Sequence, residues 1–422
     1  MAPAGRSVRP GGPIAVTGAG VVSPIGNSLA AFDAALFAGR SAVHARILDL
    51  PGIELPPVPV ASADFDAAAV EAPSRVPLDR ATAMALAAAR DAARAAGLAP
   101  GGFDPERLGI FWGSGMAGAA TFEATCRTVY ADRRRMRPTS VVTTMPNAPV
   151  AEIALAFGAR GAALAYACAC ASSAVAIGEA MRAIRAGWID VAIAGGSESM
   201  LTPGVLASWQ AMRVLVPLGA AAGDARAVAA CVRPFAAGRN GFALGEAAAA
   251  FVLESRAHAA ARGAEVDALL AGYATNCDGV HITQPDAAGQ ARAMSAALAD
   301  AALAPSGIGH VNAHGPATTA GDAAEAASIA RVFGPGGVPV SSTKAIHGHL
   351  LGAGGAVELL AALRALAAGR LPPTAHVDAP DPALAIDLVC GEARRVGGLQ
   401  AVMSSSFAFG GTNAVLIATR PG

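Results

Sequence analysis

Short apolar runs alternate with long alanine-rich stretches along the chain. PIAVTGAGVV, RLGIFWGS, AALAYACA, VAIAGGSE and AAAFVLES in the first part predict strands. VDALLAGYAT, HVNAHG, VPVSST, IDLVCG, QAVMSSSF and NAVLIATR do the same in the second. Residues 81–96, 174–186, 288–302 and 355–368 form apolar, alanine-rich stretches between these runs and predict helices. Strand runs that are apolar on both faces fit sheets covered on both sides. The alternation therefore predicts an α/β fold with a partly parallel sheet. No Pro/Ser linker divides the chain, and the clearest interruption is the charged stretch ESRAHAAARGAE, residues 254–265. The organisation expected is a flexible tail over 1–13 and two similar α/β halves, 14–254 and 255–422.

Composition narrows the partners. The chain has 422 residues, 54% of them hydrophobic and only 15% charged, enough for a thick, doubly covered core. Formal net charge is zero, which argues against nucleic-acid binding through bulk electrostatics. Six cysteines show no framework spacing, and the MAPAGRSVRPGG start has basic residues but no apolar run of a secretory signal. The expectation is a cytoplasmic protein with free thiols, and neither nucleic acid nor membrane as partner.

Residues 161–178, GAALAYACACASSAVAIG, carry no charge at all. Their length would suit a membrane span, but their apolarity comes from alanine, interrupted by Tyr, Ser, Gly and Cys. Cys168 and Cys170 stand where a strand runs out and a helix begins. A thiol there meets free backbone N–H groups and the positive end of the helix dipole. Both favour thiolate, so a lowered pKa and a nucleophile are expected. The competing reading is a small core hydrophobe, and partners elsewhere must decide.

Two histidine segments supply such partners. NAHGPAT, residues 312–318, ends a strand, with Asp322 and Glu325 just beyond. VSSTKAIHGHLL, residues 340–351, leads into a helix holding Glu358. A cysteine with two histidines after strand ends fits covalent acyl transfer. A metal site is the other use of Cys and His. Cys168/Cys170 and His347/His349 are each one residue apart, a spacing awkward for joint ligation from a strand, and no metal is expected.

In order along the chain stand IAVTGAGVVSPIGNS, ACACASSAVAIGEA, AGGSESMLTP, RPFAAGRNGFALGEAAA, DGVHITQP, NAHGPATTAGDAAE, SSTKAIHGHLLGAGGAVE and SSSFAFGGTNAVL. Together these blocks resemble the 3-oxoacyl-[acyl-carrier-protein] synthases of the synthase II type, over nearly the whole chain. The resemblance implies a thiolase-like fold: two similar α/β halves with mixed five-stranded sheets in a layered αβαβα arrangement. It also implies an acyltransferase. An acyl group moves from its carrier to the cysteine, and a carrier-bound malonyl unit then loses carbon dioxide and attacks that thioester. Substrates ride on the phosphopantetheine of acyl carrier protein, and no other cofactor is implied. Family members are dimers, so a homodimer or a heterodimer with a ketosynthase-like subunit is expected.

The resemblance places the nucleophile at Cys170, because ASSAVAIG sets the register, and leaves Cys168 as a buried neighbour. The catalytic histidines fall on His314 and His349 and the family lysine on Lys344, with Glu358 in support. Two neutral imidazoles donating through Nε2 suit an enolate oxygen. The backbone N–H groups of Cys170 and Phe409 would form a second oxyanion hole. Phe409, before Gly410 and Gly411, resembles a gating aromatic on a mobile loop, with Phe242 as companion. Thr318 and Thr283 would meet the phosphopantetheine arm. Three departures stand out: Pro316 replaces the first arm threonine and cannot donate, His347 stands where the family often has Thr, and Ala408 where it often has Gly. They suggest a relative of the housekeeping enzyme, serving a specialised polyene or polyketide pathway.

Acyl carrier proteins are acidic, so the resemblance implies a basic docking patch. Candidates are Arg133, Arg134, Arg135 and Arg137 in RRRMR, and Arg213, with Arg75 and Arg80 further possibilities. Two alternative functions fit less well. A chain-length factor would lack the nucleophilic cysteine, and a thiolase would carry a second cysteine where this chain has SSSFAFGGTN.

Overall fold

The computed structural model describes residues 11–99 and 101–421. Most of the expected tail, residues 1–10, lies outside the described residues. The first half contributes strands β1 (Ile14–Val22), β2 (Leu108–Gly113), β3 (Ala163–Tyr166), β4 (Val191–Glu198) and β5 (Ala247–Glu254). They lie side by side in the order β3-β2-β4-β5-β1. The second half contributes β6 (Ala268–Cys277), β7 (His310–Asn312), β8 (Pro339–Ser341), β9 (Ala401–Phe407) and β10 (Thr412–Thr419), in the order β8-β7-β9-β10-β6. Taken in chain order, corresponding strands occupy the same places in both sets. The first three neighbours in each set run parallel and the last two antiparallel.

These are the mixed five-stranded sheets of the thiolase-like arrangement. They are also continuous: Ile14, Ala15 and Val16 pair with Leu270, Leu269 and Ala268. With Asp387–Leu388 added beside β8, the result is an 11-stranded sheet.

Helices α1 (Arg80–Ala95), α2 (Ala148–Phe157), α3 (Ser172–Arg185), α4 (Ala287–Asp300), α5 (Thr319–Phe333) and α6 (Gly354–Ala368) complete the layers. α1 and α2 cover the outer face of the first sheet and share one apolar cluster with it. α4 and α5 do the same for the second. α3 and α6 pack together between the sheets in the largest cluster. Being enclosed, α6 is apolar nearly all round, as a buried helix must be. With the turn before it, Leu351–Ala368, it is long and apolar enough to cross a membrane, yet most of it is buried inside the fold.

Glycines let the two central helices begin where they do. A Cβ on Gly113 would lie 2.2 Å from the Ser173 nitrogen, and one on Gly196 2.4 Å from the Ser173 Cβ. The start of α3 therefore sits directly on β2 and β4. Ala356 N–H donates to Ser173 Oγ at 2.9 Å, holding the first turn of α6 beside the first turn of α3.

Candidate active site

The uncharged segment divides into β3, a short turn at Ala169–Ala171 and α3. No single helix runs through it, so a membrane span is ruled out by its own backbone. Ser172 Oγ accepts from Cys168 N–H at 2.9 Å and donates to the Ala169 carbonyl at 2.7 Å, closing the turn. Ala169 has φ 47°, a left-handed conformation that costs a non-glycine residue energy. That strain is tolerated where it presents Cys170 at the base of a cavity of about 360 Å³.

The second half supplies the histidines. His314 follows β7 on a loop whose backbone is held by Glu325. Its two carboxyl oxygens accept the N–H groups of His314 at 2.8 Å and Gly315 at 2.6 Å. His349 follows β8; its N–H donates to the Ala243 carbonyl at 2.7 Å, and its carbonyl accepts from Gly245 at 2.9 Å. Leu351 N–H donates to His349 Nδ1 at 3.3 Å, so the neutral ring carries its proton on Nε2. The two imidazoles meet edge to face at 5.3 Å, and Phe242 lies edge-on to His349 at 5.0 Å.

The electrostatics differ from expectation at the nucleophile. Burial pushes the Cys170 thiol up to about 11, outweighing the downward pull of the Lys344 charge and of the Phe409 and Cys170 backbone N–H groups. The lowered pKa expected from the helix N-terminus is therefore corrected: enclosed by the surrounding protein, the thiol rests protonated. Burial, with the charge of Lys344, holds His314 and His349 well below the usual histidine range, so both are neutral at pH 7. Burial also pushes Glu325 up to about 8.

Lys344 is fully buried behind the cavity rather than in its wall. Its ammonium donates to the His314 carbonyl and to Glu358 Oε1. Burial pushes the Glu358 carboxyl up against that pull. The pair thus grips the backbone of one histidine and biases the field at both.

Ligand atoms of Cys170, His314 and His349 all lie within 4.8 Å of one another, a spacing that could hold a metal ion. The Lys344 charge beside all three opposes a second cation there.

Other expected residues fall around the same cavity. Thr318, Thr283 and Pro316 line it with Phe242 and Phe409. Thr318 caps α5, accepting from Gly321 N–H at 3.2 Å and keeping its own proton to donate. Phe409 lies on a loop whose glycines are needed for backbone reasons: Gly410 has φ 86° and Gly411 φ 80°. The loop is tied to its neighbours, with Gly410 N–H donating to Ile282 O at 2.7 Å and Asp278 N–H to Gly411 O at 2.8 Å.

Other expectations are changed. Cys168 is half-buried and outside the cavity lining, rather than a buried neighbour. Arg80 is bound to Glu246, Nε to Oε2 at 2.9 Å, and belongs to the interior framework. Arg213 is exposed between the cavity-lining Met212 and Val214. Arg134, Arg135 and Arg137, with Arg133 adjoining, instead line a separate polar groove with Thr121, Thr125 and Thr139.

Trp209 escaped the sequence reading. It stacks on Phe409 at 6.2 Å with 20° between rings and meets Phe242 edge-on at 5.9 Å. Its signal was scarcity, as one of three tryptophans in a chain only 5% aromatic.

Comparison with known proteins places the chain in a family. Residues 12–259 match the family described as Beta-ketoacyl synthase, N-terminal domain, and 267–378 that described as Beta-ketoacyl synthase, C-terminal domain. Nodulation protein E of Rhizobium leguminosarum bv. trifolii is 38% identical, with 96% of this chain and 98% of that protein covered. The 3-oxoacyl-[acyl-carrier-protein] synthase 2 of Staphylococcus aureus is 37% identical, over 81% of this chain and 84% of its own length. Among solved structures, a type II PKS acyl-carrier protein in complex with its ketosynthase bound to the hexaketide matches with TM-score 0.88 and 27% identity, covering 98% of this chain and 100% of that one. The ishigamide ketosynthase/chain length factor matches with TM-score 0.88 and 29% identity, at the same coverage.

Proposed function

The chain belongs to the beta-ketoacyl synthase family, and from that membership we propose how its own residues carry out the reaction. It is an acyltransferase, a beta-ketoacyl-[acyl-carrier-protein] synthase. Cys170 attacks the carbonyl carbon of a carrier-bound acyl thioester. The arm's sulfur leaves and takes up the proton that the cysteine gives up. Because burial keeps the resting thiol protonated, proton loss and bond formation go together once substrate fills the cavity. The tetrahedral oxyanion is held by the N–H groups of Cys170 and Phe409.

The malonyl thioester then enters. Its carboxylate leaves as carbon dioxide, and the negative charge gathers on the thioester oxygen. His314 and His349, neutral and close together, donate Nε2–H to that oxygen. The enolate carbon attacks the Cys170 thioester, the Cys170 sulfur leaves and regains a proton, and 3-oxoacyl carrier is released. Lys344 and Glu358 hold the His314 loop, and Thr318 and Thr283 meet the phosphopantetheine arm. The protein's roles need no metal.

Acyl carrier protein is the partner that the substrate requires, and Arg213 at the mouth suits an acidic carrier. A second ketosynthase-type subunit, identical or not, fits the edge strand β3, where Ala163, Leu164 and Ala165 are exposed. Phe122, Tyr130, Val141 and Val142 are also exposed. The halves 14–254 and 255–422, a cytoplasmic location and a fatty-acid or polyketide-type pathway complete the proposal.

The observation that carries this reading is the convergence of the Cys170 sulfur and two neutral imidazoles within 4.8 Å. It is tested by incubating the chain with acyl-carrier and malonyl-carrier, following carbon dioxide and 3-oxoacyl product. Both should appear, and Cys170→Ala should form no acyl-enzyme and no product. Condensation by Cys170→Ala would overturn the site.

A further inference from the structure

His347 is buried completely and lies outside the cavity lining. Its ring is nevertheless committed at both nitrogens. Nδ1 lies 2.7 Å from the carbonyl oxygen of Gly348, and Nε2 lies 2.8 Å from Thr343 Oγ1. A carbonyl can only accept, so Nδ1 carries the proton and Nε2 accepts the Thr343 hydroxyl. Burial holds the ring at about 3, so the tautomer is not disturbed by protonation at neutral pH.

The carbonyl it grips belongs to the peptide that enters His349. Gly348 has φ 72° and ψ −178°, a conformation closed to side-chain-bearing residues, and an added Cβ would lie 3.0 Å from Ala243 O. The other end of the same peptide is fixed by the His349 N–H bond to Ala243 O at 2.7 Å. Removing the His347 donor would leave the Gly348 oxygen without its side-chain partner and the peptide held only at its N–H end, so that its plane could tilt. The imidazole of His349 would turn with it.

We propose that His347 is a positioning residue: through the Gly348 carbonyl it fixes the peptide plane that aims His349 Nε2 at the reacting thioester oxygen. The assignment rests on the role given to His349 above. It separates the two half-reactions, because acyl transfer to Cys170 uses backbone donors whereas decarboxylation uses the imidazole. A merely structural residue would impair both alike.

The experiment measures, on folded full-length protein, acyl loading of Cys170 by mass and carbon dioxide release from malonyl-carrier. His347→Leu should load Cys170 at the unmodified rate but release carbon dioxide about 10- to 100-fold more slowly, with the KM for malonyl-carrier little changed. His347→Asn, whose amide N–H can reach the Gly348 carbonyl, should restore most of that rate. Should His347→Leu fail to fold, Thr343→Val keeps the question open to refutation. It removes only the hydroxyl that orients the ring and should slow decarboxylation while sparing loading. Equal loss of both half-reactions, or no loss in either, would overturn the inference. An unmodified chain that loads acyl groups but releases no carbon dioxide would instead overturn the function proposed for His349.

Discussion

Burial is the leading influence on Cys170, His314 and His349 alike. The same desolvation that keeps the Cys170 thiol protonated keeps His314 and His349 neutral, and the neutral imidazole is the donor that an enolate needs. His310 shows the effect away from the cavity: burial, with the Arg394 charge adding to it, holds the ring at about 3, and its Nε2 lies 2.6 Å from Ser341 Oγ. The unfolded chain would take up a proton near 6.5 that the folded ring refuses. The stability this group contributes is therefore present above that pH and is lost as pH falls toward 3. His310→Gln retains a partner for Ser341 without the titration. Between pH 6 and 4 it should lose about 1.4 kcal/mol less stability per pH unit than the unmodified chain. Denaturant unfolding at several pH values checks this; parallel curves would refute it.

At the scale of elements, the site depends on α3 and α6 starting in contact. Gly355 lies at that contact. A Cβ there would lie 2.7 Å from the Ala174 Cβ and 3.0 Å from Ser406 Oγ. Gly355→Val should force the two helices apart at a cost of about 1–3 kcal/mol, read as a lower unfolding midpoint at unchanged m-value. Condensation should fall further than stability explains, because Cys170 precedes one helix and Glu358 rides on the other. An unchanged midpoint would show that the helices are not tightly apposed. The elements themselves were legible beforehand. The ends of α3 and α6 fall within two residues of the 174–186 and 355–368 stretches, because solid runs of small apolar residues between strands leave few alternatives.

At the scale of the whole molecule, carrier docking separates two basic regions that look alike in sequence. Arg213 adjoins the cavity wall, whereas Arg134 and Arg137 line their own groove. Arg213→Glu should raise the KM for acyl-carrier, with the effect shrinking as salt rises. Reversing Arg134 and Arg137 together should change that KM less. Steady-state kinetics at two salt concentrations decides between them, and a larger effect from the paired reversal would move the docking patch to the groove. The repeated strand order of the two halves is likewise a property of the whole. It is invisible as sequence identity, because backbone pairing repeats while side chains have diverged.

Residue types and their order along the chain were enough to predict the α/β alternation, and through the family resemblance they singled out Cys170, His314 and His349 as the residues proposed to act. Such features depend on local spacing and on chemistry that few residue types can perform. Tertiary structure alone decided the rest. The protonation of Cys170 depends on how completely water is excluded, which no local pattern encodes. The Trp209–Phe409 stack joins residues 200 positions apart. The grip of His347 on the peptide before His349 depends on a glycine conformation and on the carbonyl of Ala243 from the other half of the chain.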